Sequence, residues 1–421
     1  MKKITLCILL LIIVFQLVSC GRNIDTEKGL SWKSPLGSIY NTNSSLYAPK
    51  HPYSVTWEQN LGKTTKCAPV SAGGVTIVAD DEGSVYCLDN EDGQKIWTRQ
   101  FIGGISIQPV ISNGKVLFSD GSSTFYAISI SNGSQIWQQD IPSPIVGWAL
   151  VDSGKIYVAT TNSLVCFEET KGTQIFRKDF IEKVSASPSL MRYIYLPCGN
   201  HLYALDSNNG DVMWKIQFER PIIGTVACTA NYLLVVDGNL NIVNDYDGKI
   251  ISKDEKETIS ASNGKKLEYW YCTPASVYLN LILCPSVKPT IVGYQSSPLK
   301  KVWSFGTMKP LSLPPFISGN QVIFASDSRL YVCDTATGAW KWHYNYDENI
   351  VGICPVGINL DEKISSEGPK MCIITSGEKG KIARFDVGGK PLTKEEIKQL
   401  PQDVEQMRQK YEEELRKKKN P

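Results

Sequence analysis

Short runs of alternating apolar and polar residues, separated by turns that contain glycine, recur along most of the chain. In five segments an apolar strand ends at an acidic or small polar residue, a turn with glycine follows, and Trp or Phe stands four residues after that glycine. These segments are residues 83–97, 124–137, 163–176, 201–214 and 329–342. Alternation of this kind predicts β-strands, and glycine supplies the positive φ that tight hairpin turns need. The pattern therefore predicts a repeated β-hairpin and excludes a helical repeat.

An aromatic residue at a fixed position of the repeat gives the period. The position is occupied by Trp57, Trp97, Trp137, Phe176, Trp214, Trp303 and Trp342, with Ile251 as a degenerate member before Trp303. Successive spacings are 40, 40, 39, 38, 37, 52 and 39 residues. Units of this length with four short strands are typical of β-propeller blades, and the series predicts eight of them. We interpret the rings as structural, because aromatic side chains between adjacent sheets bury much apolar area.

The two ends of the repeat region complete each other. Strands are expected near Ile350–Val356, Met371–Ser376 and Lys381–Asp386, but no aromatic residue of the repeat follows them. Ser54–Trp57 carries such an aromatic residue without a preceding blade. Pairing this strand with the last three would leave neither terminal blade with an unpaired edge. The sequence thus predicts an all-β, eight-bladed propeller over residues 51–392, with the N-terminal strand closing the last blade.

The first twenty residues have the organisation of an export signal. Two lysines precede an apolar run, residues 4–14, that is short for a membrane-spanning helix. Leu17–Cys20 resembles a bacterial lipoprotein signal, in which cleavage before the cysteine is followed by its acylation with chains such as palmitate. Several acyl chains on Cys20 would anchor the protein stably. A plain signal peptide, or a membrane anchor with an incidental Cys20, is the alternative.

These patterns divide the chain into four parts. Residues 1–19 are expected to be a signal peptide and residues 20–50 a lipidated linker. Residues 51–392 would form the propeller, and residues 393–421 a charged helical tail. In the tail, Thr393 and Glu396 have the spacing of a capping box, and one apolar stripe follows. The stripe either folds back onto the propeller or docks on a partner helix.

The blade sequences resemble those of the PQQ-like, or quinoprotein-like, β-propeller superfamily over residues 50–392 through their YxLDxxxGxxxW-type pattern. Blades one, two, four and seven match this pattern well, whereas blades five and six, around residues 231–303, depart from it. Residues 31–49 also resemble the lead-in segment of exported members. Together with the lipoprotein signal, the chain is most similar to the BamB-like lipoproteins, which serve the assembly of outer-membrane β-barrels.

This resemblance implies a non-catalytic scaffold, anchored by its lipid, that binds protein partners of an envelope assembly complex through propeller loops. It implies a monomeric propeller on the periplasmic side of the outer membrane, if the organism has two membranes. Gly21 after the cysteine resembles the outer-membrane-sorted type. No segment matches a partner-binding motif closely enough for residues to be assigned.

A quinone-binding protein is the alternative, because PQQ dehydrogenases share the superfamily. Those enzymes carry adjacent cysteines over the quinone and Glu, Asn and Asp ligands to calcium, and this sequence has no Cys-Cys pair. Acidic residues at the turn position are explained by capping of their own hairpins. We therefore expect no enzymatic activity, no cofactor and no metal site; a small-ligand or PQQ-binding propeller, including a degenerate dehydrogenase, remains the competing hypothesis.

Charge and histidine content exclude two further classes of protein. The formal net charge is +2 and falls to 0 once Lys2 and Lys3 are removed with the signal peptide, which argues against nucleic-acid binding. The three histidines do not stand at ligand spacing from one another, so a histidine-rich metal site is not expected.

Ten cysteines remain beyond the signal peptide and its acylated residue. In an oxidising compartment an even set suits disulfides. Cys87 and Cys166, however, stand where Ala127 and Ala204 stand in the sister repeats, a small buried position that a free thiol fits. We favour mostly unpaired thiols, and the pairing stays open.

Two units exceed the usual blade length. The extra residues of the first fall at Lys253–Lys266, a polar, charged stretch without strand alternation, and the final unit carries an extra loop at Asn359–Lys370. Insertions within strands would shift their register, so we expect loops that project from the disc. Loops on a rigid scaffold often carry binding residues, and we expect at least one of the two to contact the partner. The alternative is two solvated, mobile loops without a role in binding.

The Cys20→Ala variant tests the predicted anchor. Without the sulfur there is no acylation, so radiolabelled palmitate should not be incorporated and the protein should leave the membrane fraction. Fractionation after a high-salt wash measures this. Retention of the variant on membranes through that wash would contradict the predicted anchor.

Overall fold

Antiparallel pairing between consecutive apolar segments produces eight sheets that surround a central channel as propeller blades. The computed structural model of the protein describes residues 24–26, 31–45, 51–105, 107–121, 123–141, 143–254, 258–260, 266–268, 271–357, 371–389, 391, 393–396, 399, 402, 406, 409 and 413. Cys20, the apolar stripe of the tail and Asn359–Lys370 lie outside these residues. The all-β, eight-bladed propeller expected from the sequence is confirmed.

Each blade has four strands, which follow one another from the channel to the rim. Blade 1 has Val70–Ala72, Val75–Ala79, Ser84–Asp89 and Lys95–Gln100; blade 2 has Val110–Ser112, Lys115–Ser119, Thr124–Ser129 and Gln135–Asp140. Blade 3 has Leu150–Asp152, Lys155–Ala159, Ser163–Glu168 and Gln174–Asp179; blade 4 has Ser189–Leu190, Ile194–Cys198, His201–Leu205 and Val212–Gln217.

Blades 5–8 have the same order of strands. Blade 5 has Ala227–Cys228, Leu233–Val236, Leu240–Val243 and Ile250–Asp254; blade 6 has Ser276–Tyr278, Leu281–Ser286, Thr290–Ser296 and Leu299–Gly306. Blade 7 has Phe316–Ser318, Gln321–Ser326, Arg329–Asp334 and Trp340–Asn345; blade 8 has Ile350–Gly357, Met371–Gly377, Lys381–Val387 and, from the N-terminus, Tyr53–Asn60. A short strand of the lead-in, Ser44–Ser45, adds in parallel to the inner edge of blade 7.

The ring closes by pairing of the N-terminal strand with the end of the propeller, as predicted. Tyr53–Asn60 runs antiparallel to Lys381–Val387, with Tyr53 opposite Val387 and Asn60 opposite Lys381. One apolar cluster then joins blades 7, 8 and 1 through side chains such as Ile323, Phe385 and Val78. Blade 8 is therefore held on both sides like any other blade.

The disc has two faces that differ in their connections. The turn face carries the hairpin between the first and second strands of a blade, such as Asn113–Gly114, and the hairpin between the third and fourth strands, such as that around Gly133. The connection face carries the hairpin between the second and third strands and the link to the next blade, such as Phe101–Ile105.

The repeat aromatics join each blade to a turn of the next. Trp57 donates its indole Nε1–H to the carbonyl of Asn90 at 3.0 Å, and Trp97 donates to that of Ile130 at 2.7 Å. The same bond is made by Trp137, Trp214 and Trp303. Each ring also covers the glycine of that turn: a Cβ added at Gly93 would stand 2.6 Å from the Cε3 of Trp57. Phe176 covers Gly210 in the same way.

One assignment of this position was wrong by one residue. Trp214 pairs with Ala204, and the corresponding partner in blade 5, Ile242, pairs with Ser252 rather than Ile251. Ile251 falls in the bulge of the outer strand and is 59% exposed. The assignment to Ile251 was wrong because Ser252 lacks the aromatic ring that marks this position in the other blades. Blade 5 thus places no aromatic ring at this position.

The closing blade has no hairpin between its third and fourth strands, so Trp342 has a different neighbour. Its ring packs edge-on against Tyr53 of the N-terminal strand, with centroids 5.0 Å apart. The Tyr53 hydroxyl bonds to Gln321 at 3.1 Å in the second strand of blade 7. The contact therefore takes the place of the tryptophan–turn contact at the junction of blades 7 and 8.

Structure outside the blades differs in part from expectation. The Lys253–Lys266 stretch was expected to lack strands, but Thr258–Ser260 pairs with Lys266–Glu268 in a small hairpin between blades 5 and 6. In the tail, the backbone N–H of Thr393 donates to Glu396 at 2.7 Å and that of Glu396 donates to the Thr393 hydroxyl at 3.2 Å. This is the expected capping box, and residues 394–396 are helical. In the portion of the chain covered, no helix has the length and hydropathy to cross a bilayer.

A pair of glycine variants in blade 3 isolates the contact between ring and turn. Gly172 (φ +72°) and Gly154 (φ +74°) have nearly the same backbone, but only at Gly172 would a Cβ meet a ring, at 2.7 Å from Trp137. Both Gly→Ala variants should lose ~1–2 kcal/mol through the left-handed backbone, and Gly172→Ala a further ~1–3 kcal/mol through overpacking. Urea denaturation measures both. Equal losses would show that the ring does not contribute.

Candidate functional site

A lead-in segment, residues 31–45, encircles the turn-face end of the central channel. In six blades, one residue of the innermost strand donates its backbone N–H to a backbone carbonyl of the lead-in, with N···O distances of 2.8–3.1 Å. The donors are Ser71, Ile111, Leu190, Cys228, Val277 and Ile317, and the acceptors are Trp32, Lys33, Ile39, Tyr40, Thr42 and Asn43. The lead-in therefore satisfies backbone groups at inner edges that would otherwise be unpaired.

Two asparagines let the lead-in bend from blade to blade. Asn41 and Asn43 have φ of +52° and +49°, a left-handed conformation that asparagine tolerates better than most residues. Both are buried, and the Asn43 amide donates to the carbonyls of Pro314 and Pro315 at 3.0 and 2.9 Å. The segment is thus fixed by side chains as well as by backbone.

The lead-in departs from the inner edge at blade 3. Consecutive turns at Ser34–Gly37 and Ser38–Asn41 carry it past Val151, which lies where Ile111 lies in blade 2. A cavity of about 370 Å³ is left between the lead-in and blades 2 and 3. Its wall includes Trp148, which also borders the channel.

The channel itself is a pocket of about 290 Å³. Pro35 and Leu36 of the lead-in border the pocket and block it toward the turn face. Every other lining residue lies just before an innermost strand, which is the end of the strand at the connection face. The pocket therefore opens toward the connection face. The wall is formed by Ala68, Gln108, Val146–Trp148, Ser185–Ser187, Gly224, Thr225, Pro274 and Ser312–Pro314.

The chemistry of this wall does not fit the quinone that the superfamily suggests. PQQ carries three carboxylates, and its calcium needs carboxylate ligands. The described wall residues include no charged side chain; their polar groups are hydroxyls, one amide, the Trp148 indole and backbone. The Thr225 hydroxyl is buried without a hydrogen-bond partner, and Gln108 accepts the backbone N–H of Ala68 at 2.8 Å. This pocket suits neutral or apolar groups.

The described thiols include no activated nucleophile. The ten cysteines from Cys67 to Cys372, all of them in the described part of the chain, form no disulfide, and all but Cys272 are buried. Burial raises the pKa of Cys67 and Cys166 to about 12, so both stay protonated at neutral pH. Cys87 and Cys166 pair with the repeat aromatics Trp97 and Phe176, at the register where Ala127 and Ala204 pair with Trp137 and Trp214. Among the described side chains, no group of three His, Cys, Asp or Glu could hold a metal ion.

Two isoleucines stand fully exposed on the connection face. Ile102 links blades 1 and 2 and is 92% exposed; Ile181 links blades 3 and 4 and is 103% exposed. The corresponding residues at the links after blades 4 and 7 are Glu219 and Asp347, each directly after an aromatic residue, Phe218 or Tyr346. Neither isoleucine was predicted from the sequence; the contrast with the acidic residues at the same position after blades 4 and 7 is the signal that could have found them.

The loop that presents Ile181 is held by an ionic cluster. Glu182 accepts hydrogen bonds from Lys215 at 2.8 Å and from the Tyr203 hydroxyl at 2.7 Å. His201 lies 3.3 Å from the same carboxylate. The bond from Lys215, followed by that from Tyr203, lowers the pKa of Glu182 to about 2. The loop is thus ordered around an exposed apolar tip.

The residues expected from sequence fall into two groups. The seven repeat aromatics all lie on outer strands, where they contact the next blade rather than the channel. Cys20 lies outside the described part of the chain, so its acylation stays a prediction. The lead-in contacts were not foreseen, because a carbonyl can accept a hydrogen bond whatever the side chain.

The ionic cluster predicts a pH effect of known sign. Because the pKa of Glu182 is lowered in the folded state, its contribution to stability is present above pH 4.5 and is lost as the pH falls toward 2. In Lys215→Met the pKa should rise toward its usual value, measured by NMR titration of ¹³C-labelled glutamate. Lys178→Met, on the outer strand of blade 3, is the control. An unchanged pKa in Lys215→Met would contradict the assignment.

Comparison with solved structures shows the same fold in proteins of different activity. The quinohemoprotein alcohol dehydrogenase of Comamonas testosteroni matches with a TM-score of 0.70 and 15% identity, over 87% of this chain and 83% of that one. BamB of Moraxella catarrhalis matches with a TM-score of 0.64 and 13% identity, over 82% of this chain and 100% of that one. Sqt1 of Saccharomyces cerevisiae matches with a TM-score of 0.66 and 12% identity, over 82% of this chain and 100% of that one. At such identities the likeness shows the fold alone.

Comparison by sequence is more specific. No curated protein matches the chain. A family model described as outer membrane protein assembly factor BamB matches residues 52–149 and 133–267, which together span just over half of the chain. The chain therefore belongs to the PQQ-like β-propeller family described as outer membrane protein assembly factor BamB.

Proposed function

We propose that this protein is a non-catalytic, lipid-anchored scaffold that binds protein partners of outer-membrane β-barrel assembly on its connection face. The observation that carries the proposal is the pair Ile102 and Ile181, both fully exposed on ordered links of that face. Loops on a rigid scaffold often carry binding residues, and an exposed apolar side chain on such a loop can be buried against a partner. Membership of a family described as outer membrane protein assembly factors supports a role in β-barrel assembly. An acylated Cys20 would anchor the protein on the periplasmic side of the outer membrane.

The channel mouth supports the same assignment. It opens on the connection face and is bordered by Trp148, Pro274 and Pro314, which offer apolar contacts without charge. An apolar side chain of a partner, inserted there, would be covered by the wall, on the same face as the exposed isoleucines. Desolvated pockets of this kind concentrate binding energy in protein interfaces.

The alternative of a quinone enzyme has no comparable support from the side chains. The channel wall offers neither a cation for the carboxylates of PQQ nor carboxylates for calcium among its described residues. We therefore expect purified protein mixed with PQQ and calcium to retain no quinone after gel filtration. Retention of one PQQ per chain would favour the enzymatic alternative over the scaffold.

A double variant tests the proposed partner surface. Ile102→Ser/Ile181→Ser removes two exposed side chains that make few internal contacts, so the fold should be kept while partner capture falls at least ~10-fold, as for loss of interface anchors. Co-purification with the β-barrel assembly machinery from detergent-solubilised envelopes, followed with an antibody to its barrel subunit, measures this.

The matched control is Ile136→Ser/Ile175→Ser, which alters half-exposed isoleucines on the outer strands of blades 2 and 3. This variant should capture the machinery as the unaltered protein does. Equal capture by both double variants would remove the connection face from the function, whatever the partner.

A further inference from the structure

The turn face carries a group of exposed apolar side chains over blades 4–6. This turn-face patch consists of Tyr40, Met191, Tyr246 and Leu279, exposed by 40, 37, 65 and 76%. Tyr40 belongs to the lead-in and accepts the N–H of Cys228 in blade 5, while the other three lie in hairpin turns of blades 4, 5 and 6. The patch therefore spans adjacent blades on one side of the channel.

Leu279 stands where other blades place a residue suited to a left-handed backbone. The first residue after the innermost strand has positive φ in five blades. It is Gly73, Asn113, Ser153 and Gly319 in blades 1, 2, 3 and 7, and Leu279 with φ +51° in blade 6. A leucine in this conformation is strained, and this leucine is also exposed. Because both the left-handed backbone and the exposed side chain of Leu279 are unfavourable to folding, they point to a contact outside the chain.

Tyr246 departs from the repeat in the same sense. Two residues before the turn glycine, the other blades have Glu91, Ser131, Thr170, Asn208 and Ala336. Only blade 5, among the turns described, has an aromatic residue there. The Arg192 guanidinium lies 5.5 Å from its ring centroid and 3.2 Å from the Asp245 carboxylate, so the ring is held rather than loose. An aromatic ring with a polar tip suits the interface between lipid and water.

The lead-in shows what lies near this face. Its first described residues, Ile24–Thr26, pack on the hairpin turns of blades 1 and 2: the Gly114 N–H donates to the Thr26 hydroxyl at 3.1 Å, and Ile24 is 7% exposed. Cys20 precedes Ile24 by four residues, which reach at most ~14 Å when fully extended. Lipid on Cys20 would therefore hold the turn face beside the bilayer, with the patch across the channel from this tether.

We propose that the turn-face patch is a membrane-contact surface that lays the disc flat on the lipid bilayer. The proposal rests on the anchoring of Cys20 in the proposed function and adds to it the orientation of the propeller. Tyr40 and Tyr246 would lie among the headgroups, and Leu279 and Met191 at the edge of the acyl chains. The connection face, with Ile102 and Ile181, would then point away from the membrane toward soluble partner domains.

Photo-crosslinking to lipid tests this orientation. p-Benzoylphenylalanine is placed at residue 246 or 279, and at residue 181 as control, in the full mature protein reconstituted in vesicles of phosphatidylethanolamine and phosphatidylglycerol. Because only side chains at the interface reach lipid, mass spectrometry should find about 10-fold more phospholipid adduct at 246 and 279 than at 181. Equal adduct at the three positions, or more at 181, would overturn the proposal.

The same spectra separate this proposal from the anchor. The mass of the N-terminal peptide reports acylation of Cys20 independently of the adducts. Acylated protein with adducts at 181 alone would refute the patch and keep the anchor. Unacylated protein that still forms adducts at 246 and 279 with added vesicles would refute the anchor and keep the patch.

A substitution that the other blades already carry gives a second measurement. Tyr246→Ser/Leu279→Asn reproduces residues found in sister turns, so the fold should be kept. In the Cys20→Ala background, the partition of the chain onto these vesicles should weaken about 10-fold relative to Cys20→Ala alone. Ile102→Ser/Ile181→Ser in the same background should partition as Cys20→Ala does. Unchanged partition of the patch variant would contradict the proposal.

Discussion

The contact between a repeat aromatic on one blade and a glycine turn on the next is the interaction on which the propeller depends. The indole N–H of Trp137 satisfies the carbonyl of Glu169, and the ring fills the space that a side chain at Gly172 would need. Hydrogen bond and shape therefore fix the position of neighbouring sheets in all three directions. Because the contact recurs at most junctions, neighbouring sheets are held in the same relative arrangement around most of the ring.

This periodicity explains why so much of the fold could be predicted from sequence. Tryptophan and glycine stand at fixed separation in the same hairpin, so one pattern gives strand, turn and blade together. Closure of the ring could be predicted because no repeat aromatic follows Lys381–Val387 at the C-terminal end, whereas Trp57 at the N-terminal end has no preceding blade. The register failed only in blade 5, where Ser252 replaces the ring and the neighbouring Ile251 offered a false match.

The candidate sites were less predictable, for reasons that differ from one another. The lead-in binds the inner edges through backbone carbonyls, which leave no trace in side-chain pattern. The small hairpin Thr258–Ser260 with Lys266–Glu268 is too short to show alternation. Exposed residues such as Ile181 and Leu279 become informative only when aligned with the same position in the other blades, once the faces of the disc are known.

In the proposed arrangement, the two faces of the disc would have different tasks. The lead-in enters over blades 1 and 2 of the turn face and blocks that end of the channel with Pro35 and Leu36. The connection face keeps the open end of the channel and the two exposed isoleucines. A short tether on Cys20, as proposed, would therefore hold the turn face at a membrane and leave the connection face free for proteins.

Neutron reflectometry of the acylated protein on a supported bilayer tests this arrangement most directly, because it measures the thickness of the protein layer and its distance from the headgroups. The account predicts a layer as thin as the height of the disc, from turn face to connection face, in contact with the headgroups. A layer as thick as the diameter of the disc, or one separated from the bilayer by water, would contradict it.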